Sequence, residues 1–175
     1  MNSNLKKLEF DKILENISNY CKTYIGKNYV ADLRPSHDKE EVQKWLDETS
    51  QGVILIQRNS TPPLGEIADI TVYLKALESY GVLSIKALLE IQNILQMSMN
   101  LKNYFEKDFL ETSDFSAIEQ YFLDLYSNPS IVATFAKSIV DEDTIADSAS
   151  AKLQDIRRRE RRIEQDIRAK LNTIL

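Results

Sequence analysis

From Ser150 to Leu175 the chain runs without a glycine or a proline, and its apolar side chains fall on one stripe. Leu153, Ile156, Ile163, Ile167, Leu171 and Ile174 are separated by 3, 7, 4, 4 and 3 residues. Spacings of three and four put side chains on one side of an α-helix and scatter them across both faces of a strand. Glu160 takes one position of the seam, which reads as a heptad-like surface suited to a partner helix. No C-cap glycine or asparagine follows the last apolar residue and no proline lies beyond it, so the usual stop signals are missing. The expectation is an N-terminal piece of a larger protein, cut within its most amphipathic helix.

The rest of the chain repeats the helical period. Phe10, Ile13, Leu14, Ile17 and Tyr20/Cys21 predict a first helix over about Leu8–Cys21. A second, about Tyr24–Leu33, is closed by Pro35, which disfavours helical geometry at Arg34. A third starts near Asp38, with Glu41 as a capping-box partner. Val42, Trp45, Leu46, Thr49, Val53 and Ile56 give it an inward face to about Gln57. Pro62-Pro63 breaks the pattern over Asn59–Gly65. A fourth helix, about Ile67–Tyr80, ends on Gly81 as its C′ residue. Ser84 caps a fifth over about Ile85–Phe105, and the polar, acidic Glu106–Ser116 reads as a loop. A sixth helix covers about Ala117–Tyr126 and is stopped by Asn128-Pro129; a seventh covers about Ile131–Val140. The runs Asp141-Glu142-Asp143 and Asp147-Ser148-Ala149-Ser150 form a joint before the last helix. With four glycines and four prolines in 175 residues, turns are few and elements long. The expected fold is all-α: an irregular helical core of about seven helices over 1–146, then a long, protruding, basic amphipathic helix over 147–175.

Charge divides the chain the same way. Residues 151–175 carry a net charge of +4 inside a chain of net −5, which leaves −9 on the first 150 residues. An acidic body with a basic helix attached reads as two functional zones. The 43% hydrophobic and 28% charged composition is that of a chain that buries a core. Cys21, the single cysteine, excludes an internal disulfide framework. Met1–Phe10 has no apolar signal-peptide core, and no apolar run reaches the roughly 18 residues of a membrane span. No membrane partner and a cytoplasmic location are expected.

Few residues invite chemistry. Gly26-Lys27 fails as a phosphate loop, because Cys21 stands where that motif needs its first glycine and Asn28 where it needs Ser or Thr. His37, the only histidine, has no companion ligands for zinc and no local motif joining it to Cys21 or a serine; it is expected exposed at a helix start. Asp141-Glu142-Asp143 lacks the glycine and terminal Glu of a calcium loop and reads as a solvated linker. Trp45, Tyr73, Phe105, Phe122 and Phe135 lie on helical periods among Leu and Ile, which assigns them to packing before base stacking. No catalytic, cofactor-binding or metal-ligating residue is expected. The run Arg157-Arg158-Arg159-Glu160-Arg161-Arg162 is the one feature suited to nucleic acid, since successive residues spread by about 100° and wrap the helix outside its seam. The same arginines can instead pair with Glu160, Glu164 and Asp166 one turn away. Arg157, Arg158, Arg159, Arg161 and Arg162 are the candidate contact residues.

Several local features, in order, resemble a known family: Leu8-Glu9-Phe10-Asp11-Lys12-Ile13, Gly26-Lys27, Leu33-Arg34-Pro35-Ser36, Pro62-Pro63-Leu64-Gly65, Ile67-Ala68-Asp69-Ile70, Gly81-Val82-Leu83-Ser84, and Asp147-Ser148-Ala149-Ser150 before Leu153-Gln154-Asp155-Ile156-Arg157. Together they resemble the N-terminal region of the second bacterial MutS subfamily, over essentially the whole chain. Glu66, where the family often has a second glycine, and Ala151, where it often has proline, depart from the pattern. The resemblance implies a P-loop ATPase that uses ATP and Mg2+, dimerises through its ATPase domain and lacks the mismatch-reading domain. It implies action on branched DNA, suppressing recombination, or on stalled or collided ribosomes and their rRNA, with a C-terminal nuclease domain downstream. This chain would then be the first part of the helical core and the start of a lever leading to the clamp. The rival expectation is a self-contained helical adaptor that docks partners, or its own copy, through residues 150–175.

Overall fold

In the computed structural model the described residues are 7–109 and 115–174, without the side chains of 107–109 and 173–174. They form eight α-helices: α1 Phe10–Tyr20, α2 Tyr24–Asp32, α3 Lys39–Asn59, α4 Thr71–Glu78, α5 Ile85–Phe109, α6 Glu119–Leu123, α7 Pro129–Ser138 and α8 Ala151–Ile174. A short 3-10 turn, Asp147–Ala149, precedes α8, and a single antiparallel bridge, Ile139 to Ile145, is the only β pairing among the described residues. The fold is all-α. By packing, the chain falls into two compact units, one of residues 1–70 and 93–128, the other of 71–92 and 129–175.

The first unit is centred on α3, α5 and α6. Leu55 of α3 packs with Tyr104 and Phe105 of α5 and with Phe115 and Ile118, and Phe122 leans on the cluster. Phe115 is fully buried. The Phe105 ring stacks on Phe122 at 4.3 Å and meets Phe115 edge-on at 6.0 Å, both favoured ring geometries. The Arg58 guanidinium caps the Phe115 ring at 5.6 Å, a cation–π contact. Phe105 and Phe122 are packing residues, as their spacing indicated.

Helix starts follow their capping chemistry. The Thr23 hydroxyl accepts from Gly26 N–H at 3.0 Å at the start of α2, so the Gly26 amide serves helix geometry. Asp38 caps α3 by accepting from Glu40 N–H (2.8 Å) and Glu41 N–H (3.3 Å). The expected capping box is relayed: Ser36 Oγ accepts from Asp38 N–H and donates its own proton to Glu41. Ser84 accepts from Ala87 N–H at 3.2 Å and Ser150 from Leu153 N–H at 3.1 Å, which fixes the starts of α5 and α8.

Four expectations are corrected and one is sharpened. The face of α3 that is buried runs through Trp45, Glu48, Gln51, Gly52, Leu55 and Asn59, while Leu46, Thr49, Val53 and Ile56 of the expected face stay exposed. The inward side carries Glu48, Gln51 and Asn59, so apolar periodicity pointed to the other face; Gln51, which accepts from Ala117 N–H at 2.8 Å, marks the inward side. Residues 67–70 are not helical; the Glu66 carbonyl before them accepts from Asn93 Nδ2 at 3.4 Å. α5 continues to Phe109, into the expected loop, whose residues 110–114 lie outside the described set. The acidic run 141–143 is exposed, as expected of a solvated linker, and it is also folded: Asp141 Oδ1 accepts from Asp143 N–H at 3.0 Å, and Val140 N–H reaches Thr144 O at 3.0 Å, which closes a turn. The Asp143 N–H holds the Asp141 carboxyl below the usual carboxylate range. Pro129, expected as a stop, opens α7, where its missing N–H is not needed.

Candidate nucleic-acid interface

α8 is 24 residues long, about 36 Å at 1.5 Å per residue. The joint before it is tied to α7 within the second unit. Ala146 N–H donates to Ser138 O at 2.8 Å and the Ser148 hydroxyl to Lys137 O at 3.4 Å. Asp147 then meets two arginines one helical turn apart. Arg157 Nη1 donates to Asp147 Oδ1 at 2.5 Å and to Ile145 O at 2.7 Å. Arg161 Nη2 donates to Asp147 Oδ2, and its Nε to Arg157 O at 3.3 Å. The pairing is geometrically natural, since helical side chains lean toward their own N-terminus. The two guanidinium groups, Arg157 first, hold the Asp147 carboxyl below its usual range.

The five candidate arginines are thus not equivalent. Arg157 is half-buried and, with Arg161, bound to Asp147. Arg158, Arg159 and Arg162 are exposed and have no ion-pair partner among the described residues. Among those residues none of the five pairs with Glu160, Glu164 or Asp166, the alternative that spacing had offered. Arg158, Arg161 and Arg162 come together with Gln154, Gln165 and Asp147 around an open groove of about 580 Å³. At 100° per residue, positions 154, 158, 161, 162 and 165 share one side of the helix, nearly opposite the apolar seam. Arg159 projects away from that side. On the seam, Ile156, Ile163, Ile167 and Leu171 are each more than half exposed; the side chain of Ile174 lies outside the described set.

Three guanidinium groups and two amide side chains, beside one carboxylate, give this surface the charge and the N–H donors that an anion would need. Gln154, Gln165 and Asp147 were missed from sequence. The signal for Asp147 was present, as an acid one turn ahead of a helix with arginines spaced i, i+4 on its near side. The other residues weighed for chemistry stay apart: His37 and Lys27 are exposed, Cys21 is a free, partly exposed thiol, and among the described residues no group of three His, Cys, Asp or Glu side chains could hold a metal ion. No helix among them is long and apolar enough to cross a membrane.

Fold and groove define the class: an all-α module that carries a cationic helix seated on an acid-bridged joint. Similarity to known proteins makes it specific. No family model matches the chain. It is 38% identical over 168 residues, 96% of its length, to "Endonuclease MutS2" of Ruminiclostridium cellulolyticum. It is 36% identical over 171 residues to the protein of the same name from Acetivibrio thermocellus, and 33% over 171 residues to that from Geobacillus sp., each match covering 98% of the chain. The chain belongs to the MutS2 family. It spans about a fifth of the length of these relatives, 21% and 22% for the first two.

Proposed function

We propose that the chain is the non-catalytic helical core and lever of a MutS-like ATPase, with residues 1–146 as core and 147–175 as the start of the lever. In this reading the longer protein binds ATP and Mg2+, works as a homodimer, and acts on branched DNA or on stalled ribosomes and their rRNA, with cleavage supplied by a separate nuclease domain. The lever carries movement to a nucleic-acid clamp, and its exposed arginines touch the phosphodiester backbone on the way. One observation carries the contact role: Arg158 and Arg162 have no ion-pair partner among the described residues and share a groove face turned away from the apolar seam. An α-helix suits the mechanical role because its backbone bonds run along its own axis and resist bending.

The test is the full-length protein with Arg158, Arg159 and Arg162 replaced by Ala. Binding to a four-way DNA junction and to ribosomes is then measured against salt. Weaker affinity for one substrate supports the contact role and names the substrate. On DNA the salt slope should also become shallower by about 0.9 for each phosphate no longer neutralised. Unchanged affinity and slope on both remove the contact role.

A second reading rests on the exposed Ile156, Ile163, Ile167 and Leu171: a helical adaptor that docks partners, or its own copy, through α8. A tight dimer abolished by Ile163→Glu favours the adaptor, and a monomer favours the lever.

A further inference from the structure

Arg161 makes two kinds of contact at once. It lines the open groove beside Arg158 and Arg162, and it closes the joint through Asp147. Asp147 also lines the groove, so its carboxylate occupies a place in the anion site and holds the guanidinium that an incoming phosphate would need. We infer that Asp147 is a built-in competitor for the phosphodiester backbone: it mimics a phosphate at Arg161, lowers the resting affinity of the groove, and gives up Arg161 when nucleic acid binds. This inference depends on the groove taking phosphate, as proposed above.

The chemistry is balanced as an exchange of one anion for another. Two carboxylate oxygens accept from Arg157 and Arg161 in the free chain. When a phosphate oxygen takes Arg161 Nη2, Arg157 still satisfies one oxygen of Asp147 and the Ile145 carbonyl. The joint therefore keeps one of its two bridges, and α8 keeps its N-terminal anchor. Charge pairs this exposed are worth little in water, so a phosphate drawn by three guanidinium groups can displace one.

The experiment titrates the 175-residue chain with a 30-base-pair linear DNA duplex and, separately, an RNA duplex of equal length. Asp147→Asn keeps the side-chain shape and an acceptor for Arg157, and removes the competing charge. It is expected to tighten binding about three- to tenfold and to steepen the DNA salt slope by about 0.9, the increment for one more neutralised phosphate. Tighter binding on either duplex supports the proposal and identifies the backbone the groove fits; no tightening on either overturns it. Adding Arg161→Gln to Asp147→Asn must abolish the effect; tightening that persists overturns the role of Arg161. Should Asp147→Asn disturb folding, the unmodified chain answers: the carboxyl 13C resonance of Asp147 must move on saturation with duplex, and a stationary resonance overturns the exchange. Failure of the underlying reading is separate, because Arg158→Ala/Arg162→Ala would then leave binding unchanged. Weakened binding in that variant, with no tightening from Asp147→Asn, sinks only the competitor.

Discussion

Ser60 holds a conformation that side chains avoid. At φ 64° and ψ −167° it sits in a region used almost only by glycine, at about 1–3 kcal/mol. The Tyr104 hydroxyl, which donates to Ser60 O at 2.7 Å, and Asn59, which donates to Tyr104 O at 3.3 Å, keep it there. Ser60→Gly is expected to stabilise the chain by about 1 kcal/mol after the entropy of the extra glycine is subtracted, seen as a higher thermal midpoint. Tyr104→Phe should destabilise by a similar amount, because it removes that hydrogen bond. The end of α4 makes the converse point. Tyr80, at φ 55°, is the left-handed residue, while Gly81 N–H reaches back to Ala76 O at 2.8 Å, a Schellman ending. Gly81 was legible as a helix stop, but for the wrong reason: a Cβ there would lie 2.7 Å from the Ala76 carbonyl oxygen. Gly81→Ala should therefore destabilise by about 1–3 kcal/mol, and Tyr80→Gly should stabilise. Equal effects of the two substitutions in thermal unfolding would contradict this assignment.

At the scale of elements, the eight helices were visible in the spacing of apolar residues, with Asp38 and Ser84 legible at the starts of two of them; the caps at Thr23 and Ser150 went unread. What spacing could not decide was which side of an element faces in, or where a long-range polar contact replaces a local one. The extended backbone at 67–70 and the short α6 both lie beside such long-range contacts, Asn93 to the Glu66 carbonyl and Ala117 N–H to Gln51. The arginine run was legible as a cationic surface and illegible as a divided one, because the divider, Asp147, lies across a joint from it. The joint itself titrates. A carboxyl held low in the folded chain contributes its full stabilisation above the unfolded value of about 3.9, and that contribution disappears as pH falls through the lowered folded value. Comparison of the native chain with Asp147→Asn in acid should thus show a stability difference at neutral pH that closes below about pH 4. A difference that stays constant down to low pH would mean that the carboxylate charge is not what ties Arg157 and Arg161.

For the molecule as a whole, membership of the family holds across nearly the entire chain, and the chain corresponds to about a fifth of its relatives. Much apolar surface is exposed, on α1 (Ile13, Ile17, Tyr20), on α3 (Val53, Ile56) and on α8. Exposed apolar patches on this scale usually mark surfaces that another element covers. Arg157 holds the helix to its joint, and in the proposed function Arg158 and Arg162 are the residues that meet phosphate. The most direct measurement is the salt dependence of duplex DNA binding by the full-length protein, compared among the native form, Arg158→Ala/Arg162→Ala and Arg157→Ala. The double variant should give a slope shallower by about 1.8, while Arg157→Ala should lower thermal stability and leave the slope near native. Equal slopes for all three, or weakened binding confined to Arg157→Ala, would contradict this division.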